Sequence, residues 1–195
     1  GTANPGNGGG IHITGTAMTV INAGQIGSNI AANQGGGLWN QTGAIMSMFD
    51  TMVDLNTAVA GSGGGGIYNN GGNVNISNGT LQSNTATGTS GSGGGLLSTD
   101  GDINIIGGMI DGNSANRAGG GVEIVDGFFS STNTTFITND VNGLAGTANP
   151  GNGGALHVTG VATLNIIGAT ITGNNAASEG GGLWNGTGTM TVMNT

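Results

Sequence analysis

Aliphatic residues along this chain come in short bursts, and each burst follows a run of glycines. Gly8-Gly9-Gly10-Ile11 returns as Gly35-Gly36-Gly37-Leu38, Gly64-Gly65-Gly66-Ile67, Gly93-Gly94-Gly95-Leu96 and Gly119-Gly120-Gly121-Val122, then as Gly153-Gly154-Ala155-Leu156 and Gly180-Gly181-Gly182-Leu183. Successive copies are 27, 29, 29, 26, 34 and 27 residues apart. Periods of that length mark repeat architectures whose units stack to bury a shared core. After each glycine run stand three or four residues of strand type, as in Ile11-His12-Ile13-Thr14. A polar turn then leads into alternating runs such as Val74-Asn75-Ile76 and Ile103-Asn104-Ile105, the period of a half-buried strand. A third strand closes on aliphatic-x-x-Asn, ending at Asn29, Asn56, Asn84, Asn113, Asn139 and Asn174.

Three short strands and three turns per 26–29 residues predict an all-β fold, a right-handed parallel β-helix (a solenoid) of about seven coils. The glycine runs read as tight corners, where positive φ or close backbone approach is needed. The six asparagines, matched in spacing to the aliphatic residue before them, read as an inward amide ladder bonding turn backbone and stacked neighbours. The stretch from each such Asn to the next glycine run varies most and reads as the decorated corner, longest from Asp140 to Asn152.

A longer repeat overlies the short one. Gly1 to Gly9 recurs letter for letter at Gly146 to Gly154, and Leu38-Trp39-Asn40 recurs as Leu183-Trp184-Asn185, both offset by 145 residues. Residues 1–145 therefore form one five-coil unit and 146–195 the opening of the next, within a single continuous solenoid segment at 1–195. The chain is expected to be a window on a longer array.

Composition narrows the function. Glycine occurs 46 times, and Arg117 is the one Lys or Arg in a chain of net charge −8. Nucleic-acid backbones and anionic membrane surfaces are bound through clustered cations, so both partner classes are excluded. No apolar run is long enough to cross a bilayer as a helix. The absence of cysteine removes disulfides and thiolate metal sites. Neither a Gly-Lys-Ser/Thr signature nor a calcium nonapeptide accompanies the glycines, and no metal or cofactor is expected. Asp100, Asp102, Glu123 and Asp126 fall at matching or nearby positions of consecutive coils, and solvated acidic turns are a better reading of them than a calcium site. His12 and His157 have no carboxylate in their own strand, so no nucleophile triad is expected and the chain reads as no enzyme. Asn-x-Ser/Thr triplets at Asn40, Asn75, Asn78, Asn133 and Asn185 are what an Asn- and Thr-rich chain supplies by chance.

One column concentrates the rings. Two residues past the last corner glycine (or Ala155) stand His12, Trp39, Tyr68, Leu97, Glu123, His157 and Trp184, which include every Trp, Tyr and His in the chain. Alternation along a strand points them away from the core, so an exposed stripe is expected. Such a stripe suits sugar stacking or lateral docking, and equally suits plain cross-strand packing. As a binding face it predicts that replacing Trp39 and Trp184 by Ala abolishes binding without unfolding.

The pairing of the two tetrapeptides resembles the passenger repeats of the chlamydial polymorphic outer membrane proteins, which carry GGA[ILV] and FxxN. Gly153-Gly154-Ala155-Leu156 and Phe136-Ile137-Thr138-Asn139 match to the letter, and the other copies match loosely along the whole chain. The resemblance implies an extracellular, non-enzymatic β-helix of a bacterial cell surface, acting as stalk, fibre or adhesin. The expected partners are other copies along or beside the fibre, and a glycan or cell-surface ligand in the adhesin reading. A polysaccharide-degrading enzyme is the distant alternative, since lyases on this fold lean on Arg, Lys and a Ca²⁺-binding Asp cluster.

Overall fold

A computed structural model describes residues 6–141 and 151–195. They form a parallel β-solenoid of about six turns with no helix, and every strand pairs in parallel with the equivalent strand one coil away. The coils are numbered 1 to 7 from the glycine runs at Gly8, Gly35, Gly64, Gly93, Gly119, Gly153 and Gly180. Three sheets run up the solenoid, one with seven rungs and two with six. Hydrogen bonds between coils therefore lie along the solenoid axis, while the covalent chain winds across it.

The three sheets are as expected, but the strands divide among them differently. The strand after the glycines and the alternating run share one sheet. In coils 3 and 4 they fuse into the 11-residue strands Ile67–Ser77 and Leu96–Ile106. The aliphatic-x-x-Asn strand is the second sheet, with Ile26, Val53, Leu81, Ile110, Phe136 and Ile171 stacked in register. The third sheet consists of two-residue strands just after the ladder asparagines, in the stretch read as loop: Ile30–Ala31, Thr57–Ala58, Thr85–Ala86, Ser114–Ala115, Asp140–Val141 and Asn175–Ala176. Asp140 and Val141 thus belong to a strand. The rest of that loop through Pro150, like its copy at Gly1–Pro5, lies outside the described residues.

The three main corners of the coils turn on left-handed residues. Between the first and second sheets stand Ala23, Asp50, Asn78, Gly107, Asn133, Gly168 and Asn194. Between the second and third stand Ser28, Leu55, Ser83, Gly112, Thr138 and Gly173. The first glycine of each run makes the last corner, and φ at all these positions lies between 46 and 68°. All nine non-glycine residues with positive φ among the described residues fall in the first two columns. A left-handed conformation costs an ordinary residue about 1–2 kcal/mol. Nine such residues in two strict columns mean that stacking imposes the conformation.

The three glycines of a run are needed for three reasons, shown by coil 3. Gly64 takes φ +66°, and a Cβ on it would lie 2.8 Å from the Cβ of Tyr68. A Cβ on Gly65 would lie 2.4 Å from the Gly94 carbonyl oxygen and 2.5 Å from the Thr85 carbonyl carbon of the third sheet. A Cβ on Gly66 would meet the Asn84 amide at 3.0 Å. The chain thus crosses the outer face of its own next strand, skims the third sheet, then passes the ladder. Small residues also line the inside of that narrow edge, where Ala31, Ala58, Ala86 and Ala115 are buried in one stack.

The core is a thin aliphatic column including Leu38, Ile67, Leu96, Val122 and Leu156 from the first sheet and Val53, Leu81, Ile110 and Phe136 from the second. The asparagine ladder lines one corner of it as expected. Asn84 donates from its backbone N and from Nδ2 to Asn113 Oδ1 (3.0 and 2.9 Å), and from Nδ2 to the Val53 carbonyl (2.8 Å). Its own Oδ1 accepts the same pair of bonds from Asn56 (3.1 and 2.9 Å). The pattern runs unbroken from Asn29 through Asn56, Asn84, Asn113 and Asn139 to Asn174.

Candidate functional site

The ring column forms in the expected register, with His12 beside Trp39, Trp39 beside Tyr68, Tyr68 beside Leu97, Leu97 beside Glu123, Glu123 beside His157 and His157 beside Trp184. Its exposure is not as expected. Trp39, Tyr68, Leu97, Glu123 and His157 are buried, at 1–8% exposure, while Trp184 is half-buried and His12 exposed. The cause is the corner described above. Each column residue points out of the sheet, but the chain arriving at the glycine run passes directly over it. The first glycine contacts the Cβ of His12, Trp39, Tyr68, Glu123, His157 and Trp184 at 2.7–3.2 Å from where its own Cβ would stand. The column is a second, smaller core between the sheet and that overlying segment.

Within it the rings pack on one another. Trp39 and Tyr68 lie parallel with centroids 6.5 Å apart, and His157 and Trp184 lie parallel at 4.5 Å. His12 tilts over Trp39 at 4.4 Å. The indole Nε1 of Trp39 is buried without a partner, whereas Trp184 donates to Glu179 at 3.2 Å.

The chemistry concentrates at Glu123. Its strand is short, Val122–Ile124, and the overlying segment carries Arg117. The Arg117 guanidinium donates to both Glu123 oxygens (3.0 and 3.3 Å) and to the Ser92 hydroxyl of coil 4 (2.9 Å). From coil 6, His157 Nδ1 lies 3.5 Å from Glu123 Oε1, and the Thr159 hydroxyl donates to that same oxygen. Thr159 is also 3.1 Å from His157 Nδ1. Burial by itself would push the Glu123 carboxyl up. The facing His157, the Arg117 charge and Ser92 outweigh it and bring the pKa down to about 2. Among the described residues, Arg117–Glu123 is the only contact between an Arg and a carboxylate, and His157 is the only imidazole facing one. An open depression of about 160 Å³ reaches the cluster, lined by Ser92, Arg117 and Glu123 together with Ser62, Ser90, Leu97, Thr99 and Val125.

The geometry of this constellation differs from that of a nucleophile relay. A nucleophile relay uses the two imidazole nitrogens separately, one toward the hydroxyl and one toward the acid. Here Thr159 and Glu123 both crowd Nδ1, and Nε2 is buried without a partner.

The acidic turns and Glu123 part company. Asp100 and Asp102 are exposed, Asp100 accepts the Gly101 N–H (2.7 Å), and Asp126 accepts the Val161 N–H (3.0 Å). Among the described residues no three His, Asp or Glu come together in a way that would hold a metal ion. Of the glycosylation-type triplets, Asn40 is buried, while Asn75, Asn78, Asn133 and Asn185 are exposed.

A second polar row lies inside the solenoid. Asn40 donates to Asn69 Oδ1 (2.9 Å), and Asn69 donates to Ser98 Oγ (3.0 Å), to Gly72 O (2.8 Å) and to Asp100 O (2.9 Å). These residues occupy the same inward register position as Ile13 and Ile124. Their signal was present in Leu38-Trp39-Asn40 and Ile67-Tyr68-Asn69, where Asn follows the ring two places after an inward aliphatic. The signal for the Glu123 cluster was the chain's only Arg standing six residues before a Glu of the ring column.

No protein-family model, no characterised protein and no solved structure matches this chain.

Proposed function

We propose that this chain is a non-catalytic structural rod, a segment of an extracellular surface fibre or stalk built from tandem 145-residue units. The observation that supports this best is the seam between units. Coil 6 opens the second copy of the long repeat, yet it stacks on coil 5 as any coil stacks on the next. Leu156 pairs with Val122, Leu164 with Phe129, Ile171 with Phe136 and Ala176 with Val141. The asparagine ladder crosses the seam from Asn139 to Asn174 with the same two 2.9 Å bonds. A unit that joins its copy without a break is one that lengthens by repetition. The tetrapeptide resemblance to bacterial surface proteins supports the extracellular setting.

Electron microscopy of the native assembly tests the reading. Rods with an axial spacing of about 4.8 Å and a unit repeat of about 24 Å are expected. Globular particles without either spacing would overturn it. A glycan- or protein-binding adhesin remains the second reading only at His12 and Trp184, because the rest of the ring column is covered.

A further inference from the structure

The Glu123 cluster sits at one place in the architecture, the seam between units. Glu123 belongs to coil 5, the last of the first unit, and Arg117 to the segment leading into it, whereas His157 and Thr159 belong to coil 6, the first of the second. Elsewhere in the column neighbouring coils meet through rings and Leu97, with no ion pair among the described residues. His157 and Thr159 are the 145-residue repeats of His12 and Thr14, so coil 1 carries the same pair. There both residues are exposed, and His12 Nδ1 lies 3.0 Å from the Asn7 carbonyl instead of facing a carboxylate.

We propose that His12 and Thr14 are the receiving half of a unit-to-unit clamp, and that the partner they take is the Arg117–Glu123 coil of another 145-residue unit. This rests on the fibre reading and names what that fibre recognises at each joint. The occupant is identified by continuity, since the seam between coils 5 and 6 shows the same edge already filled by such a coil. The chemistry gives the clamp its selectivity. Coils of similar length and shape can stack on one another in any order. A buried carboxylate, however, needs donors from the coil above, and only a His-x-Thr coil brings an imidazole nitrogen and a hydroxyl to Glu123 Oε1. A Trp39- or Tyr68-type coil in that place offers a ring instead. Single buried polar residues fix register in coiled coils, and the Glu123 site would act in the same way.

The test extends this chain at its start with a copy of its own residues 85–145, which the 145-residue repeat joins in phase to Gly1. Docking is read by a disulfide in this cysteine-free chain. Cys replaces Ser130 in the copy and Val20 in the original, the equivalents of the paired Ser130 and Asn165. A second readout is hydrogen-exchange protection of Ile11–Ile13. The expected result is an efficient crosslink and new protection. Crosslinking should fall about tenfold or more when the copy carries Glu123→Leu. Because that change could unfold the added coil, the complementary variant alters exposed residues of coil 1, His12→Ala with Thr14→Val, and must weaken docking as well. A crosslink indifferent to both variants overturns the clamp and leaves the fibre reading standing. Failure of the unaltered copy to dock overturns both.

Discussion

Glu123 is 1% exposed and still charged, so its neighbours must supply what water would have supplied. The linkage has a definite sign. Its carboxyl titrates near 4.5 in the unfolded chain and near 2 in the fold, so its contribution is complete above pH 4.5 and is lost as pH falls toward 2. The amount is on the order of 3 kcal/mol. Urea unfolding at pH 7, 4.5 and 2.5 checks this, with Glu123→Gln expected to flatten the acid limb relative to the parent. Arg117→Met should cost about 3 kcal/mol, because it strands a buried charge, and adding Glu123→Leu should recover most of the loss. Equal losses in the single and double variants would show that packing, not charge, holds the site. Much of this column was legible beforehand. Alternation correctly placed seven residues in one register and pointed them out of the sheet. Their burial was not legible, because the irregular segment that covers them comes from the preceding turn and leaves no periodic mark. Trp39→Ala is accordingly expected to lower stability by about 3–5 kcal/mol, the cost of a large buried side chain, rather than to remove a binding surface.

Ladders and corners decide stability at the level of the element. Asn84→Ala leaves the Asn56 N–H without a partner and removes one bond each from the Asn56 amide, which keeps the Ile26 carbonyl, and from the Val53 carbonyl. A loss of about 3–5 kcal/mol in denaturant midpoint experiments is expected. Asn29→Ala should cost far less, because Asn29 is half-buried and its Oδ1 accepts no ladder bond from the described residues. The left-handed corners give a prediction of opposite sign. Leu55 is exposed with φ 55°, so Leu55→Gly should be neutral or stabilising by about 1 kcal/mol, where glycine in a strand normally destabilises. Gly65→Ala should be severe and Gly66→Ala milder, since the third position already holds Ala155 in coil 6. The ladder was readable because Asn recurs at a fixed distance from an aliphatic. The third sheet escaped notice because two residues are too few to show a period. The shared first sheet escaped notice because a turn such as Asn69 to Gly72 looks like a corner in sequence and is a continuous strand in coil 3.

Among the described residues the solenoid has a single Arg–carboxylate pair, and its carboxylate is buried, where salt screens poorly. Stability should therefore change little between low salt and 1 M salt, and a steep loss in thermal unfolding would contradict this account. In the fibre proposed above, length would be set by counting, since each five-coil unit would add about 24 Å. The direction of the inter-coil hydrogen bonds has a mechanical result. Tension along the axis pulls on those bonds rather than on covalent chain, and it loads them in series, one coil after another. A coil that contributes about 4.8 Å of height releases roughly 90 Å of contour when peeled away. Stretched in a force microscope, the rod should behave as a stiff spacer up to a threshold and then as a shock absorber, lengthening about twentyfold in regular steps.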